Sequence, residues 1–174
     1  MAAHIHIAYK TLRLIDETIG KDGGSAFRKA LGQVIPHMDD AYRESDGGFR
    51  SHLGASVIGG DCIRAIYYGW RWATKPKFGG RILRLFNRGH LEEARFIAML
   101  LSIGVSVYQQ DSNGNQFRIS DHGGHFGGAG DGVAQGIPDL DDLLQYVLLE
   151  FKTHGESSFV QLAGNLRNWR EHVD

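Results

Sequence analysis

The spacing of apolar residues predicts that the first half of the chain is helical. Apolar side chains recur at helical intervals over residues 5–19 and 25–44, and Pro36 should interrupt the second of these helices. Beyond a turn rich in glycine and serine, two more helices are predicted over residues 61–73 and 81–103. The second half of the last helix is apolar on all sides, which indicates that it is buried.

Beyond Gly104 the pattern changes to short strands, and this glycine should end the preceding helix because it favours the left-handed backbone. VSVYQQ and NQFRIS are predicted strands that a turn at Asp111–Gly114 joins. The glycine-dense strand edge GGHFGGAGDGVA then leads through a connection to the strand QYVLLEFKT, and a last helix is predicted over residues 157–172. The order of helices, small sheet and helix predicts an α/β (α+β) fold.

The length of 174 residues suits one domain with a hydrophobic core. We expect a single domain over residues 1–174. It should consist of a helical N-terminal region (1–50), a core (51–160) and a short C-terminal helix (161–174).

One predicted strand, QYVLLEFKT, ends in two charged residues. Alternation along a strand puts Leu148, Glu150 and Lys152 on one face, and Leu149 and Phe151 on the other. In a buried strand such charges are costly unless they pair with each other or bind a metal ion. The strand end is therefore a candidate functional site.

Composition narrows the class of protein. No apolar run approaches the ~20 residues needed to span a membrane, and the first residues lack the apolar stretch of a secretion signal. The single cysteine, Cys62, excludes an internal disulfide and any four-cysteine metal site, and it should be a small buried side chain. These features predict a cytoplasmic protein with no membrane partner.

The net charge is close to zero, but the charges are segregated along the chain. A basic segment contains Arg64, Arg71, Lys75, Lys77, Arg81, Arg84, Arg88 and Arg95. Residues 120–151 contain no lysine or arginine, and their acidic residues are Asp121, Asp131, Asp139, Asp141, Asp142 and Glu150. A basic surface beside an acidic pocket suits a polyanion held over bound cations. The alternative is that both are ordinary solvated faces.

Two aspartates could accompany Glu150. If the strand around Asp131 pairs antiparallel with the strand around Glu150, two carboxylates and Lys152 converge, which is the oxygen-rich setting that Mg²⁺ prefers. Asp139, in a literal Pro-Asp pair, would then lie in the connection at the far end of the strands. We therefore prefer Asp131.

The order of these residues resembles the PD-(D/E)XK nuclease superfamily, especially its RecB-like and phage-type exonuclease branch. The resemblance is carried by Gly130-Asp131-Gly132-Val133-Ala134, by Glu150-Phe151-Lys152 and by Arg88-Gly89-His90-Leu91-Glu92-Glu93. The segment from Ser56 through Cys62-Ile63-Arg64 to Tyr67-Tyr68 also looks like the "C-x-R-x₃-Y" helix of phage-type and CRISPR-associated relatives. The resemblance spans roughly residues 50–160 and implies a restriction-endonuclease-like mixed sheet flanked by helices.

The resemblance also implies roles for individual residues. Asp131, Glu150 and Lys152 would be catalytic. The ligands of one or two Mg²⁺ or Mn²⁺ ions would be His90, Asp131, Glu150 and the Phe151 carbonyl. Helical spacing agrees with this role for His90, because it shares a face with Glu93 and Ile97 and should point inward. The expected DNA-binding residues are Ser56, Arg64, Arg84 and Arg88.

The implied function is a metal-dependent DNA nuclease, an exonuclease acting on DNA ends in phage-type recombination, replication or DNA degradation. A phage-encoded enzyme would act in the host cytoplasm. RecB-type members carry a Gln-x-x-x-Tyr helix after the lysine, whereas here Gln161 is followed four residues later by Asn165, so the domain looks short at its C-terminus. The alternative is a nuclease-like DNA- or protein-binding subunit that lacks autonomous activity. Such a subunit would need a second chain or a homo-oligomer to complete its site, or would act by sequestering a partner.

The aromatic residues of the third helix have two interpretations. Tyr67, Tyr68, Trp70 and Trp72 lie at spacings that suit either a hydrophobic core or a platform for stacked nucleic-acid bases. Because aromatic residues at helical spacing are more often core, we predict that they are buried.

Overall fold

The structure, a computed structural model, describes residues 8–42, 52–71, 73 and 77–165. The helices are α1 (Tyr9–Asp22), α2 (Ser25–Val34), α3 (Asp39–Tyr42), α4 (Ile63–Trp70), α5 (Gly80–Ser102) and α6 (Glu156–Asn165). The strands are β1 (Leu53–Gly54), β2 (Ser106–Tyr108), β3 (Arg118–Asp121), β4 (Phe126–Ala129), β5 (Gly132–Gln135) and β6 (Tyr146–Leu149). The predicted mixture of helices and strands is confirmed. None of the helices in these ranges has the length and apolar character needed to cross a membrane.

The predicted helices are confirmed with shifted ends. A 3₁₀ turn, Ile35–His37, contains Pro36 and separates α2 from α3. Helix α5 ends at Ser102, one residue before the predicted end. As predicted, Gly104 stops it: this glycine takes a φ of 86°, and the Val105 N–H returns to the Leu100 carbonyl at 3.2 Å. Parts of the predictions lie outside the described residues, namely 5–7, 43–44 and 166–172, together with Trp72 and Lys75.

The strands form two small sheets, where one mixed sheet was predicted. In the first, β5 lies between β2 and β6 and is antiparallel to both. In the second, β4 lies between β1 and β3, with β1 parallel and β3 antiparallel to it. The predicted turn at Asp111–Gly114 forms between β2 and β3, and one isolated bridge next to it pairs Gln110 with Gln116. The two strands themselves belong to different sheets. The chain passes between the sheets again from β4 to β5.

Helix α5 lies at the centre of the core. On one side it packs against the N-terminal helices, where Val34, Met38 and Ile97 are buried together. On the other side it covers the sheet of β2, β5 and β6, where Leu100 is buried against Ala134. The N-terminal helical region and the sheet are therefore joined through α5.

Strand β6 is buried on one face only. Val147 and Leu149 pack towards α5, whereas Tyr146 and Leu148 on the opposite face are exposed. The interpretation of this segment as a buried strand therefore holds for one face only. Alternation gives β6 two faces, and α5 covers only one of them.

Two further predictions of burial are wrong. Cys62 is exposed at the start of α4. None of the residues of α4 is buried: Tyr67 and Tyr68 are exposed and Trp70 is half-buried. Apolar spacing predicted the helix correctly, but spacing alone does not show whether an apolar face has a partner to pack against.

Candidate active site

Asp131 lies at the point where the chain passes from one sheet to the other. The N–H of Gly130 still donates to the Phe117 carbonyl next to β3, at 3.0 Å. One residue later, the N–H of Asp131 donates to the Leu149 carbonyl of β6, also at 3.0 Å. The peptide before Gly130 therefore bonds to the sheet of β3, and the next peptide, between Gly130 and Asp131, bonds to the sheet of β6.

The glycines on both sides of Asp131 make this crossing possible. A Cβ at Gly132 would lie 2.9 Å from the Tyr108 carbonyl oxygen on the neighbouring strand. A Cβ at Gly130 would lie 2.5 Å from a methyl carbon of Leu148, a side chain that is exposed and free to move aside. The requirement for glycine is therefore stricter at position 132, because a side chain there would clash with backbone atoms, which cannot move aside. The Gly-Asp-Gly sequence is a strand crossing here and not a reverse turn.

The predicted pairing of the Asp131 and Glu150 segments is confirmed. In the antiparallel ladder Gly132 lies opposite Leu149, which brings Asp131 to the end of β6. A carboxylate oxygen of Asp131, Oδ2, accepts a hydrogen bond of 2.5 Å from the backbone N–H of Phe151. Asp131 is thus fixed next to the Glu150-Phe151-Lys152 sequence.

Glu150 and Lys152 point the same way, as alternation predicts, and their carboxylate and ammonium groups form an ion pair. Both side chains are exposed, so the expected cost of burying charge at this strand end does not arise. The hydrogen bond and the charge of Glu150 raise the pKa of Lys152 above its ordinary value, with smaller contributions from Asp131 and Glu93. Lys152 is therefore a cation at neutral pH.

His90 reaches the same place from α5. As predicted, it points inward with Ile97 on its face of the helix, and its Nδ1 lies 3.3 Å from Oε1 of Glu93. Both side chains are half-buried. The charge of His90 also acts on Asp131, so the helix and the strand ends contribute to one electrostatic cluster.

Burial disfavours negative charge in this cluster. Desolvation raises the pKa of Asp131, and the Glu150 carboxylate raises it further. The Phe151 N–H and the charges of Lys152 and His90 only partly offset this. Desolvation and the charge of Asp131 likewise raise the pKa of Glu93. The cluster therefore favours the uptake of protons or cations.

Glu93 was missed as a site residue. The sequence showed that it shares a helical face with His90, but it did not show that this face turns towards Asp131. The signal was the three-residue spacing between an imidazole and a carboxylate, which places the two side chains together on a helix.

The predicted DNA-binding residues are exposed, and in the described part of the chain none of them forms a hydrogen bond or an ion pair with this cluster. Ser56 is exposed in a 3₁₀ turn after β1, and Arg64 is exposed on α4. Arg84 and Arg88 are exposed on the first half of α5, where helical geometry places Arg88 about 200° around the axis from His90. Arg88 therefore lies on the opposite side of α5 from His90, and it pairs with Glu92 at 3.8 Å.

Asp139, the alternative acidic residue, has a structural role. Its carboxylate accepts hydrogen bonds from the N–H groups of Lys10 (2.9 Å) and Thr11 (2.8 Å), and from Oγ1 of Thr11 (2.6 Å). These groups lie in the first turn of α1, where the N–H groups have no partner within the helix. Asp139 therefore caps α1 from a distant part of the chain.

The donor atoms of the cluster suit a hard divalent cation: two carboxylates, a backbone carbonyl and an imidazole. In the described ranges, however, no three His, Cys, Asp or Glu side chains lie close enough together to hold a metal ion. Glu150 is engaged by Lys152, and one oxygen of Asp131 by the Phe151 N–H. The chemistry of the donors fits Mg²⁺ or Mn²⁺. To bind the ion, however, Glu150 would have to release Lys152, and the Asp131 oxygen would have to release the Phe151 N–H.

Family models, curated proteins and solved structures were each compared with the chain, and none of them matches it. The function of the cluster is therefore inferred from its own geometry and chemistry.

Proposed function

We propose that the chain is a metal-dependent DNA nuclease that hydrolyses phosphodiester bonds, as an exonuclease acting on DNA ends in the cytoplasm. The observation that supports this most strongly is the convergence of Asp131, Glu150 and Lys152 at one strand end, with His90 supplied by α5. These residues occur in the order in which PD-(D/E)XK nucleases carry them.

The arrangement of elements also supports a restriction-endonuclease-like fold. The long helix α5 precedes the antiparallel meander of β2, β5 and β6, and α6 follows the strand that leads to Lys152. Strands β3 and β4 form a hairpin inserted between β2 and β5. The proposed catalytic residues then lie where the second and third strands of the meander meet: Asp131 directly precedes β5, and Glu150 and Lys152 follow β6.

A metal ion would be held by Asp131, Glu150, the Phe151 carbonyl and His90. When bound, Mg²⁺ or Mn²⁺ would lower the pKa of a coordinated water and neutralise the charge that develops on the phosphate. The raised pKa values of Asp131 and Glu93 favour this, because carboxylates that are destabilised by burial gain most from a cation.

Lys152 would act as a fixed positive charge. Its raised pKa keeps it protonated, so it is a hydrogen-bond donor to a phosphate oxygen and not a proton acceptor. During hydrolysis a water oxygen forms a bond to phosphorus while a phosphorus–oxygen ester bond breaks and the leaving oxygen gains a proton. Glu93, which is not among the proposed metal ligands and whose pKa is raised, is better suited than Lys152 to accept the proton that the water loses.

Incubation with linear and circular duplex DNA in Mg²⁺ or Mn²⁺ tests the proposal. We expect the linear substrate to be degraded by the parent protein and not by the Asp131→Asn or Glu150→Gln variants. Asp139→Asn is the matched control, because it removes the same charge from the alternative Pro-Asp position and should leave cleavage intact. Loss of activity in Asp139→Asn alone would show that the aspartate has been assigned wrongly.

A second candidate function is a DNA-binding subunit without autonomous cleavage. It is favoured by the engagement of Glu150 with Lys152 and by the separation of the metal donors within the described residues. A folded parent protein that binds DNA and leaves both linear and circular substrates intact in either metal would support this function. A second protein chain would then have to complete the site.

A further inference from the structure

Helix α4 contacts the rest of the molecule along one side. Ile66 reaches the loop at Gly60, and the ring of Trp70 lies edge-on to the ring of His125, with centroids 6.0 Å apart. Ile66 and Trp70 are four residues apart and therefore share a face of the helix. This face attaches α4 to the turn that precedes β4.

The opposite side of α4 carries a stripe of arginine and tyrosine. Arg64, Tyr67, Tyr68 and Arg71 are spaced so that they line one face of the helix, with an arginine at each end. Tyr67 is 51% exposed and Tyr68 is 44% exposed, and both arginines are also exposed. Within the described residues, neither Arg64 nor Arg71 forms an ion pair.

The side chains of the stripe are held by one another and by the ring of Trp70 at its edge. Tyr67 lies 6.0 Å from Tyr68 and 6.3 Å from Trp70, measured between ring centroids, and both contacts are tilted or edge-on. The guanidinium carbon of Arg71 lies 5.8 Å from the centre of the Trp70 ring, in a cation–π contact. The aromatic surface is therefore ordered, although it is open to solvent.

We infer that this stripe binds the unpaired bases of single-stranded DNA. Exposed aromatic rings between cationic side chains suit a single strand, because its bases stack on the rings while its phosphates meet the arginines. In a duplex the base faces are covered by their neighbours, so a duplex would gain only from the arginines. The identification of the ligand as DNA, and not RNA, rests on the proposed function.

The stripe lies within reach of the candidate active site. Trp70 contacts His125, and the chain runs from His125 along β4 to Asp131. The six residues of this path limit the separation of His125 and Asp131 to about 20 Å. A single strand held on α4 can therefore present its end to the carboxylates, which predicts a preference for ends with unpaired nucleotides.

Fluorescence anisotropy in EDTA tests the inference without any need for cleavage. The probes are a labelled oligothymidine and a labelled blunt duplex, each long enough to span the distance to Asp131. Replacing Tyr67 and Tyr68 together with Ala should weaken binding of the oligothymidine by about tenfold or more and leave duplex binding little changed. Replacing both with Phe should retain binding, because the rings remain. In contrast, the double variant with Arg84→Ala and Arg88→Ala should weaken the binding of the oligothymidine and of the duplex to a similar extent.

Tyr108 and Tyr146 provide the matched control. They are 45% and 62% exposed and form a tilted ring pair with centroids 6.4 Å apart, on the face of the first sheet that α5 does not cover. Their joint replacement with Ala should leave oligothymidine binding unchanged. Equal losses in both tyrosine-pair variants, or no loss in the Tyr67/Tyr68 variant, would overturn the inference.

A second measurement uses only the parent protein. Photocross-linking of the oligothymidine, followed by peptide mapping, should label residues 63–71, and cross-links confined to other segments would overturn the inference. Sedimentation tests the alternative that the stripe binds a second copy of the chain. A dimer that dissociates in the Tyr67/Tyr68→Ala variant, with DNA binding unaltered, would make the stripe a protein interface and refute base stacking.

Discussion

In the C-terminal half of α5, Ala94, Ile97 and Ala98 are buried, whereas Leu83 and Leu85 in the N-terminal half are exposed. Both halves contain apolar residues, but among the described residues the buried clusters that join α5 to α2 and to the sheet use residues of its C-terminal half. Apolar composition therefore does not by itself distinguish a structural half from a surface half.

The candidate site begins where one half of α5 changes into the other. His90 and Glu93 lie between the exposed, arginine-rich turns and the buried turns, so the helix anchors them on one side and opens to solvent on the other. Half-buried charge is costly, but it remains accessible to a substrate. The comparison predicts that mutations in the buried half reduce stability and that mutations in the site and in the exposed half change binding and chemistry.

The largest effect is expected in the core. Ile97→Ala should lower the free energy of unfolding by about 2–5 kcal/mol, because Ile97 is buried and contacts both the N-terminal helices and the sheet. Leu85→Ala on the exposed half is the control and should change stability by no more than about 0.5 kcal/mol. Denaturant unfolding measures both, and similar losses would mean that the two halves do not differ.

Replacing Asp131 should not lower the stability of the metal-free protein, in contrast to replacing Ile97. Saturating Mg²⁺ or Mn²⁺, at 100 times the dissociation constant, should stabilise the parent protein by about 2.7 kcal/mol through binding linkage, and should not stabilise Asp131→Asn. In metal-free buffer the variant should be as stable as the parent or more so, because burial disfavours the charged carboxylate. Thermal unfolding with and without metal measures this, and a variant that melts much earlier in both buffers would make Asp131 a structural residue.

The pH dependence of stability gives an independent check on Asp131. Its pKa is raised above 3.8 in the folded protein, so the folded state binds more protons than the unfolded state between the two values. Stability should therefore fall as the pH rises through this window. The slope should be smaller in Asp131→Asn, and an unchanged slope would place the proton on another group.

Asp139 should change the pH dependence of stability in the opposite direction from Asp131, and by a smaller amount. Burial raises its pKa, but the hydrogen bonds from Thr11 and Lys10 outweigh this and lower it below the ordinary value. The charged Asp139 carboxylate should therefore stabilise the folded protein at neutral pH, and this stabilisation should be lost as the pH falls through the lowered pKa. Asp139→Asn should cost about 1 kcal/mol at pH 7, as for other helix caps. Asp141→Asn, an exposed neighbour, is the control, and equal effects of the two variants would contradict the capping role.

The sequence predicted the helices better than the sheets. Periodic apolar residues show where a helix runs and which of its sides is apolar, and Pro36 and Gly104 act through local backbone geometry, so these features could be read from the chain. The division into two sheets depends on the change of hydrogen-bond partners between Gly130 and Asp131, which is a property of the folded chain. The pairing of Asp131 with the Glu150 segment was predicted because an antiparallel ladder fixes both ends at once.

Burial within the site could not be predicted from the sequence. Tyr67 and Tyr68 were expected in the core and are exposed, because apolar spacing does not reveal whether a partner is present. The position of Glu93 beside Asp131 was missed, since it depends on how α5 is rotated over the sheet. In each case the missing information is a contact between elements that are distant in the chain.

The smallest effect on stability is expected for Lys152→Ala, and it separates two accounts of the strand end. A buried ion pair that loses its lysine would cost about 3–5 kcal/mol, because a carboxylate would be left buried without a partner. Glu150 and Lys152 are instead exposed, so the variant should lose no more than about 1 kcal/mol in denaturant unfolding. The same variant should lose cleavage of linear DNA, because it lacks the cation that would contact the phosphate. A large loss of stability would make the pair part of the structural framework and would remove the distinction between the core and this strand end.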